Sequence, residues 1–326
     1  MRGIFKWKAG EAERISLLPI RHDDIWWFRK RLEGLHWTAQ AVDITRDQKD
    51  WSIMPEDSKR YIRMQLMFFA QADMLVFDNV GDKFIREVDC MEARAVYAAQ
   101  QDQEMMHTEC YNLQVEAVAG SEAERETIFR AIKELPAVAA MPLWALHWLD
   151  GRRSLEERLV AAAAVEGVLF SAGFASLQWL REQNLLPGIT MFNTYISRDE
   201  GLHTLFSCLL VRVYLTDRPS QRRAAAIFAS AIKVLDAFVG ESLPVRLIGM
   251  VVEDMRAYTR FQADCILREM GYDILYSAKN PFPFMDKLSL NGSAKTNFFE
   301  SRVDAYQQII RAGASRLARD KTPIDE

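Results

Sequence analysis

The stretch Leu159-Val-Ala-Ala-Ala-Ala-Val-Glu-Gly-Val-Leu-Phe170 decides the fold. It is apolar around the whole circumference of a helix, and a single acid, Glu166, sits inside it. A helix that is apolar all round is a buried one. An ionised carboxylate left alone there is strongly unfavourable, so it must be paired, protonated or bound to a metal. Met67-Phe-Phe-Ala-Gln-Ala-Asp-Met-Leu-Val-Phe77 holds Asp73 in the same way. Taken alone, each acid reads equally well as a structural group, facing a polar seam or pairing with an arginine, and as a functional one.

Working outward, Gly (15) and Pro (10) are sparse over 326 residues, which favours long helices with few breaks. One helix is expected from Pro55, with Glu56 and Asp57 at its positive end, to about Val80. A second runs from about Asp89 to Ala119 and stops at Gly120. A third starts at Ser154, where Glu157 completes a capping box, and continues to about Gln183. A fourth covers Met191 to Leu215, and two more fill 222–239 and 241–270. A Pro-rich turn, Asn280-Pro-Phe-Pro-Phe284, follows. Strand-like alternation is nowhere sustained, and no repeat of fixed period stands out. The expected class is all-α.

Apolar residues at 49% and charged residues at 26% match an ordinary globular protein and exclude disorder for most of the chain. A net charge of -4 leaves no basic footprint, so nucleic acid is not an expected partner. Cys90, Cys110, Cys208 and Cys265 show no CxxC spacing and suggest no disulfide framework. No signal peptide and no membrane span are read from the chain. A reduced, cytoplasmic protein is the expectation.

Two further helices decide between the readings of the buried acids. Glu104-Met-Met-His107 lies on the second and Glu200-Gly-Leu-His203 on the fourth. Residues three apart share a helix face, so each pair can aim a carboxylate and an imidazole at one point. Di-metal carboxylate bundles use a carboxylate from each of two helices and Glu-x-x-His from each of the other two. This chain has that inventory, with Asp73 in place of one Glu. Four carboxylates would be neutralised by two divalent ions. Carboxylates with two imidazoles and no thiolate suit iron or manganese better than structural zinc. A third match, Glu33-Gly-Leu-His36, has no carboxylate helix to complement it and reads as chance. His22 and His147 lack a Glu three residues before them and read as ordinary structural or surface histidines.

Across nearly its whole length the sequence resembles the small, radical-generating subunit of class I ribonucleotide reductase. The resemblance lies in His36-Trp-Thr-Ala39, Phe68-Phe-Ala-Gln-Ala-Asp73, Glu104-Met-Met-His-Thr-Glu-Cys-Tyr111, Val165-Glu-Gly-Val-Leu-Phe-Ser-Ala-Gly-Phe-Ala175, Ile196-Ser-Arg-Asp-Glu-Gly-Leu-His203 and Lys295-Thr-Asn-Phe-Phe-Glu-Ser-Arg-Val303. It implies a ferritin-like helical bundle with a four-helix di-metal core and additional helices. That domain would span 1–312, before a flexible tail, 313–326, that docks on the large subunit. It implies that Asp73, Glu104 and His107 hold one metal and Glu166, Glu200 and His203 the other, with some carboxylates bridging. The metals would be two iron ions in a di-iron-oxo centre, or two of manganese.

Tyr111 matches the radical tyrosine. It falls seven residues after Glu104 and four after His107, on the ligand face. Phe170, Phe174 and Ile196 would line its dry pocket. Asp199 and Trp37 match a relay from His107 toward the surface, and Tyr306 a tail tyrosine that passes the oxidising equivalent onward. The resemblance further implies that dioxygen is the oxidant, that the chain pairs as a homodimer, and that a separate large catalytic subunit reduces ribonucleotides. Two features depart from the family pattern: Gln40-Ala41 where acids are common, and a chain end, Pro323-Ile-Asp-Glu326, whose only apolar anchor is Ile324. A di-metal oxidase with its own substrate, an iron-storage protein, and a metal-free helical scaffold are the alternative readings.

Overall fold

The computed structural model describes residues 15–119, 122–123, 125–126, 136–243 and 250–288. Among them every extended regular element is helical: α1 (Asp23–Gly34), α2 (Asp47–Ile53), α3 (Glu56–Asn79), α4 (Met91–Val118), α5 (Pro136–Leu149), α6 (Leu155–Glu182), α7 (Pro187–Leu209), α8 (Gln221–Ser242) and α9 (Val252–Glu269). α3 packs along α4, and α7 packs along α6 while also touching α4. These four form the central bundle. α1 lies on α4, α5 on α3, and α8 and α9 cover α6.

The expected helices form, with shifted ends. Pro55 is the cap of α3 rather than its first residue, and Glu56 and Asp57 occupy the first turn as expected. The expected stop at Gly120 lies outside the described residues, as does the tail 313–326. At α6 the Ser154 hydroxyl accepts the Glu157 N–H at 3.3 Å, while the Glu157 carboxylate pairs with Arg223 of α8. α7 begins four residues earlier than expected, because Pro187 suits the first position and α2 supplies its cap. Asp47 accepts the N–H groups of Gly188 and Ile189, both at 2.7 Å, and Asp50 accepts that of Leu186 at 2.9 Å. α9 starts at Val252 rather than near 241, since α8 runs on to Ser242.

Three helices escape a pattern-based reading, among them α2, which is only seven residues long. α1 is short and buries only Ile25, Phe28 and Leu32. α5 is apolar almost all round and contains Pro142, which normally argues against a helix interior. The α6 stretch is long and apolar enough to cross a membrane, yet 94% of its apolar window is buried in the protein. Its composition is that of a core helix.

The unforeseen feature is three π turns: Val80–Phe84 after α3, Val165–Leu169 within α6 and Leu210–Tyr214 after α7. A π turn inserts a residue and re-aims the side chains around it, and such turns concentrate at functional sites. The one in α6 contains Glu166. A Cβ on Gly167, next to it, would stand 2.4 Å from Ile266 Cδ1 of α9 and 2.9 Å from Thr204 Cγ2, so both side chains would have to shift for any larger residue.

Candidate metal centre

α4 contributes Glu104 and His107, α7 Glu200 and His203, α3 Asp73, and the π turn of α6 Glu166. All six are at most 3% exposed. Their ligand atoms form two overlapping groups, each within 4.8 Å: Asp73, Glu104, His107 and Glu200 in one, Glu104, Glu166, Glu200 and His203 in the other. Glu104 and Glu200 belong to both, the arrangement of two bridging carboxylates between two terminal ones. His107 Nδ1 lies 3.0 Å from Glu200 Oε1, 3.6 Å from Asp73 Oδ2 and 3.7 Å from Glu104 Oε2. His203 Nδ1 lies 3.1 Å from Glu104 Oε1 and 3.7 Å from Glu200 Oε2.

The donors fit a pair of cations. Both oxygens of Asp73 and of Glu200, Oε2 of Glu104 and of Glu166, and Nδ1 of both imidazoles are buried without a hydrogen-bond partner. Buried polar atoms are rarely left so, and here they all face one another. Divalent ions between them would satisfy these atoms and offset the four negative charges.

Electrostatics point the same way. Burial pushes Asp73 and Glu166 well above the usual carboxylate range. Burial opposes the charge on Glu104 too, but the neighbouring imidazoles of His107 and His203 hold it down to about 2. Burial pulls both imidazoles down, but contacts outweigh it and raise them: Asp199, Asp73 and Glu104 at His107, and Glu200 and Glu104 at His203. Without metal, protons on the imidazoles stand in for the missing positive charge.

Behind the ligands the two halves differ. Asp199 Oδ2 is 3.5 Å from His107 Nε2 and accepts the Trp37 indole N–H at 2.7 Å. Its Oδ1 accepts the Arg198 Nε–H at 3.0 Å, and Arg198 also donates to the Leu35 carbonyl at 2.7 Å. The Trp37 ring stacks over His107 with centroids 6.2 Å apart. On the other side His203 Nε2 meets Gln103 Oε1 at 2.8 Å, and Gln100 donates to Glu166 Oε1 at 2.7 Å. Gln100 and Gln103 were not singled out from the sequence. Their position was the available signal, since Gln100 precedes Glu104 by one helical turn.

Tyr111 is buried, its hydroxyl has no hydrogen-bond partner, and burial, reinforced by the charges of Asp73 and Glu200, raises it well above an ordinary phenol. Phe69 stacks on it at 5.2 Å. Phe170 and Phe174, expected to face the site, pack on Phe69 at 5.5 and 5.1 Å, and Phe174 also lines the cavity that reaches Glu166 and Glu200. Ile196 is fully buried on α7. A narrow cavity of about 30 Å³ reaches Glu166 and Glu200 between Ser197, Thr204, Tyr258 and Gln262, room for one small molecule. Glu33 pairs with Lys30 on exposed α1, in keeping with a chance motif. Tyr306 and Ile324 lie outside the described residues.

Fold and ligands together define a di-metal carboxylate protein of the ferritin-like helical type. The sequence profile of the ribonucleotide reductase small chain matches residues 14–281, and the chain belongs to that family. It is 42% identical over 302 residues to the ribonucleoside-diphosphate reductase small chain of Spisula solidissima, covering 92% of this chain and 78% of that one. A solved ribonucleotide reductase homodimer from Saccharomyces cerevisiae superposes with a TM-score of 0.77 at 29% identity, over 90% of each chain. The dimanganese(II) protein of Streptococcus sanguinis shares the fold, with a TM-score of 0.72 at 17% identity over 81% of this chain and 94% of that one.

Proposed function

We propose that this chain is the radical-generating small subunit of a class I ribonucleoside-diphosphate reductase, with Tyr111 as the stored oxidant. The observation that carries this is the convergence of six buried ligands beside a phenol in a dry aromatic pocket. Asp73, Glu104 and His107 would hold one metal and Glu166, Glu200 and His203 the other, with Glu104 and Glu200 as bridges. Once bound, the pair would supply dioxygen reduction and enough oxidising power to remove one electron from a phenol. Tyr111 gives up that electron together with its hydroxyl proton and remains as a neutral radical. The Phe69 ring and the burial of the phenol keep water and reductants away from it.

Asp199 orients His107 and is bonded to Trp37, forming the first leg of an outward relay. Tyr306 would continue it to a separate large catalytic subunit, where ribonucleotides become deoxyribonucleotides. The tail 313–326 would dock there, and two copies of this chain would pair as a homodimer. We read the metal as iron, with manganese admitted by the same oxygen and nitrogen donors. The buried free thiols suit a reducing cytoplasm.

Aerobic iron loading should give a tyrosyl-radical resonance signal and a sharp visible absorption band. Tyr111→Phe should remove both while metal content stays intact. A signal that survives in Tyr111→Phe assigns the radical elsewhere, and a signal obtained with manganese alone overturns the iron reading.

A further inference from the structure

Among the described residues, one other set of metal-ligating atoms converges away from the di-metal centre. His22 precedes α1, Cys90 precedes α4, and Glu92 sits in the first turn of α4. Each brings one ligand atom within 4.8 Å of the others. Cys90 and Glu92 are buried, and His22 is half-buried. Glu92 Oε1 accepts the Arg21 N–H at 2.9 Å, and its Oε2 accepts the Cys90 S–H at 3.5 Å.

The far side of the imidazole is also arranged. The Tyr214 hydroxyl stands 3.5 Å from His22 Nδ1 and donates to Asp24 Oδ1 at 2.6 Å. A metal-bound histidine almost always has its second ring nitrogen held by a hydrogen-bonded partner of this kind. Tyr214 and Asp24 would therefore fix the ring through Nδ1, with Nε2 as the ligand atom of the proposed ion. A thiolate and a carboxylate balance the charge of one divalent cation. Sulfur, nitrogen and oxygen donors, with a water as fourth ligand, would match the tetrahedral preference of zinc.

We propose that His22, Cys90 and Glu92 form a second, separate metal site that takes a single zinc-like divalent ion. Such an ion ties the chain entering α1 to the start of α4, the helix that carries Glu104, His107 and Tyr111. On binding, the Cys90 S–H bond breaks, a sulfur–metal bond forms and the proton leaves to solvent. Until then the thiol stays protonated, pushed up to about 12 by burial and by the neighbouring Glu92.

The test uses the full chain, freed of metal and titrated with cobalt(II). The di-metal centre contains no sulfur ligand, so a near-ultraviolet thiolate-to-cobalt charge-transfer band reports a cysteine-containing site and not that centre. The expected result is one band-forming ion per chain, bleached by added zinc. Cys90→Ser should abolish the band with cobalt uptake at the carboxylate centre and helix content unchanged. His22→Gln keeps the thiol and should weaken band-forming binding by at least about tenfold, and Tyr214→Phe by about tenfold. No band in the unaltered protein overturns the proposal. So does a band that persists in Cys90→Ser, which would belong to another cysteine. Unchanged cobalt affinity in both His22→Gln and Tyr214→Phe removes His22 from the site and overturns it equally.

Discussion

The two halves of the metal centre share one ligand plan and differ in what stands behind each imidazole. His107 faces Asp199, a carboxylate already bonded to Trp37 and Arg198. His203 faces Gln103, a neutral amide. Either partner can fix a ring tautomer, but only the carboxylate raises the basicity of its imidazole and leads outward to a second aromatic ring. On the relay proposed above, the His107 side is the one that continues, through Asp199, to Trp37. The Glu166 side has its polar atoms held by Gln100 and Gln103 on the same face of α4. A pseudo-symmetric ligand set has become directional through its outer contacts.

The largest expected effect tests what the halves share. Contacts with carboxylates raise His107 and His203 above the ordinary imidazole value of 6.5 in the metal-free protein. Both rings must lose a proton to bind metal. Loading should therefore strengthen as pH rises, with the overall constant changing by about a hundredfold per pH unit while both are displaced. The sign reverses for stability. A raised imidazole contributes stability that is complete below 6.5 and is lost as pH climbs through the folded-state value. Metal-free protein should lose denaturation midpoint above neutral pH, and metal-loaded protein should not. Calorimetry in buffers of different ionisation enthalpy counts the protons released, and a count near zero would contradict the electrostatic picture.

Asp199→Asn then attacks the difference itself. The shape is kept and the charge removed, so nucleotide reduction with the large subunit should fall by about a hundredfold. The Tyr111 radical yield should fall much less. Equal losses in both would make Asp199 a support for His107 rather than a part of the relay.

The contrast also marks how far the sequence could be read. Buried acids in apolar runs, and Glu-x-x-His on two helices, are periodic signals, and they picked out the six side chains whose donor atoms converge from four helices. Asp199 stood out because it adjoins a ligand and matches a family motif. Gln103 carries no charge and breaks no apolar run, so its meaning depends on a contact made only when α4 and α7 pack. Phe69 was hidden for the opposite reason, because it belongs to an aromatic run in which any ring could be the one on Tyr111. The π turn at Glu166 has no period of its own to detect. Pro142 masked α5, and tertiary packing overrode the propensity argument there.

A smaller effect should stay on the radical side. A Cβ on Gly173 would come within 2.3 Å of Phe69 Cζ and 2.6 Å of Gln65 Oε1. Gly173→Ala should displace the ring that covers Tyr111 and destabilise the protein by about 2 kcal/mol. A shortened radical half-life with an unchanged metal titration would localise the damage to the pocket. Loss of the second metal as well would show the two halves to be mechanically coupled.

Gln103 offers the finest test, because it can be changed in two directions. Gln103→Leu removes the acceptor and leaves the buried His203 Nε2–H unpaired, an unfavourable state in a dry interior. Metal affinity should drop by about tenfold, and only at the ion held by His203, so that stepwise iron titration separates into a tight and a weak phase. Gln103→Glu instead places a carboxylate behind His203 and makes the halves alike. It should restore single-phase loading and strengthen binding at that ion relative to the leucine variant. Turnover with the large subunit should gain nothing, because no Trp37 equivalent is bonded to that side chain. If Gln103→Glu did raise turnover, basicity at the imidazole rather than a connected path would be what separates the two halves.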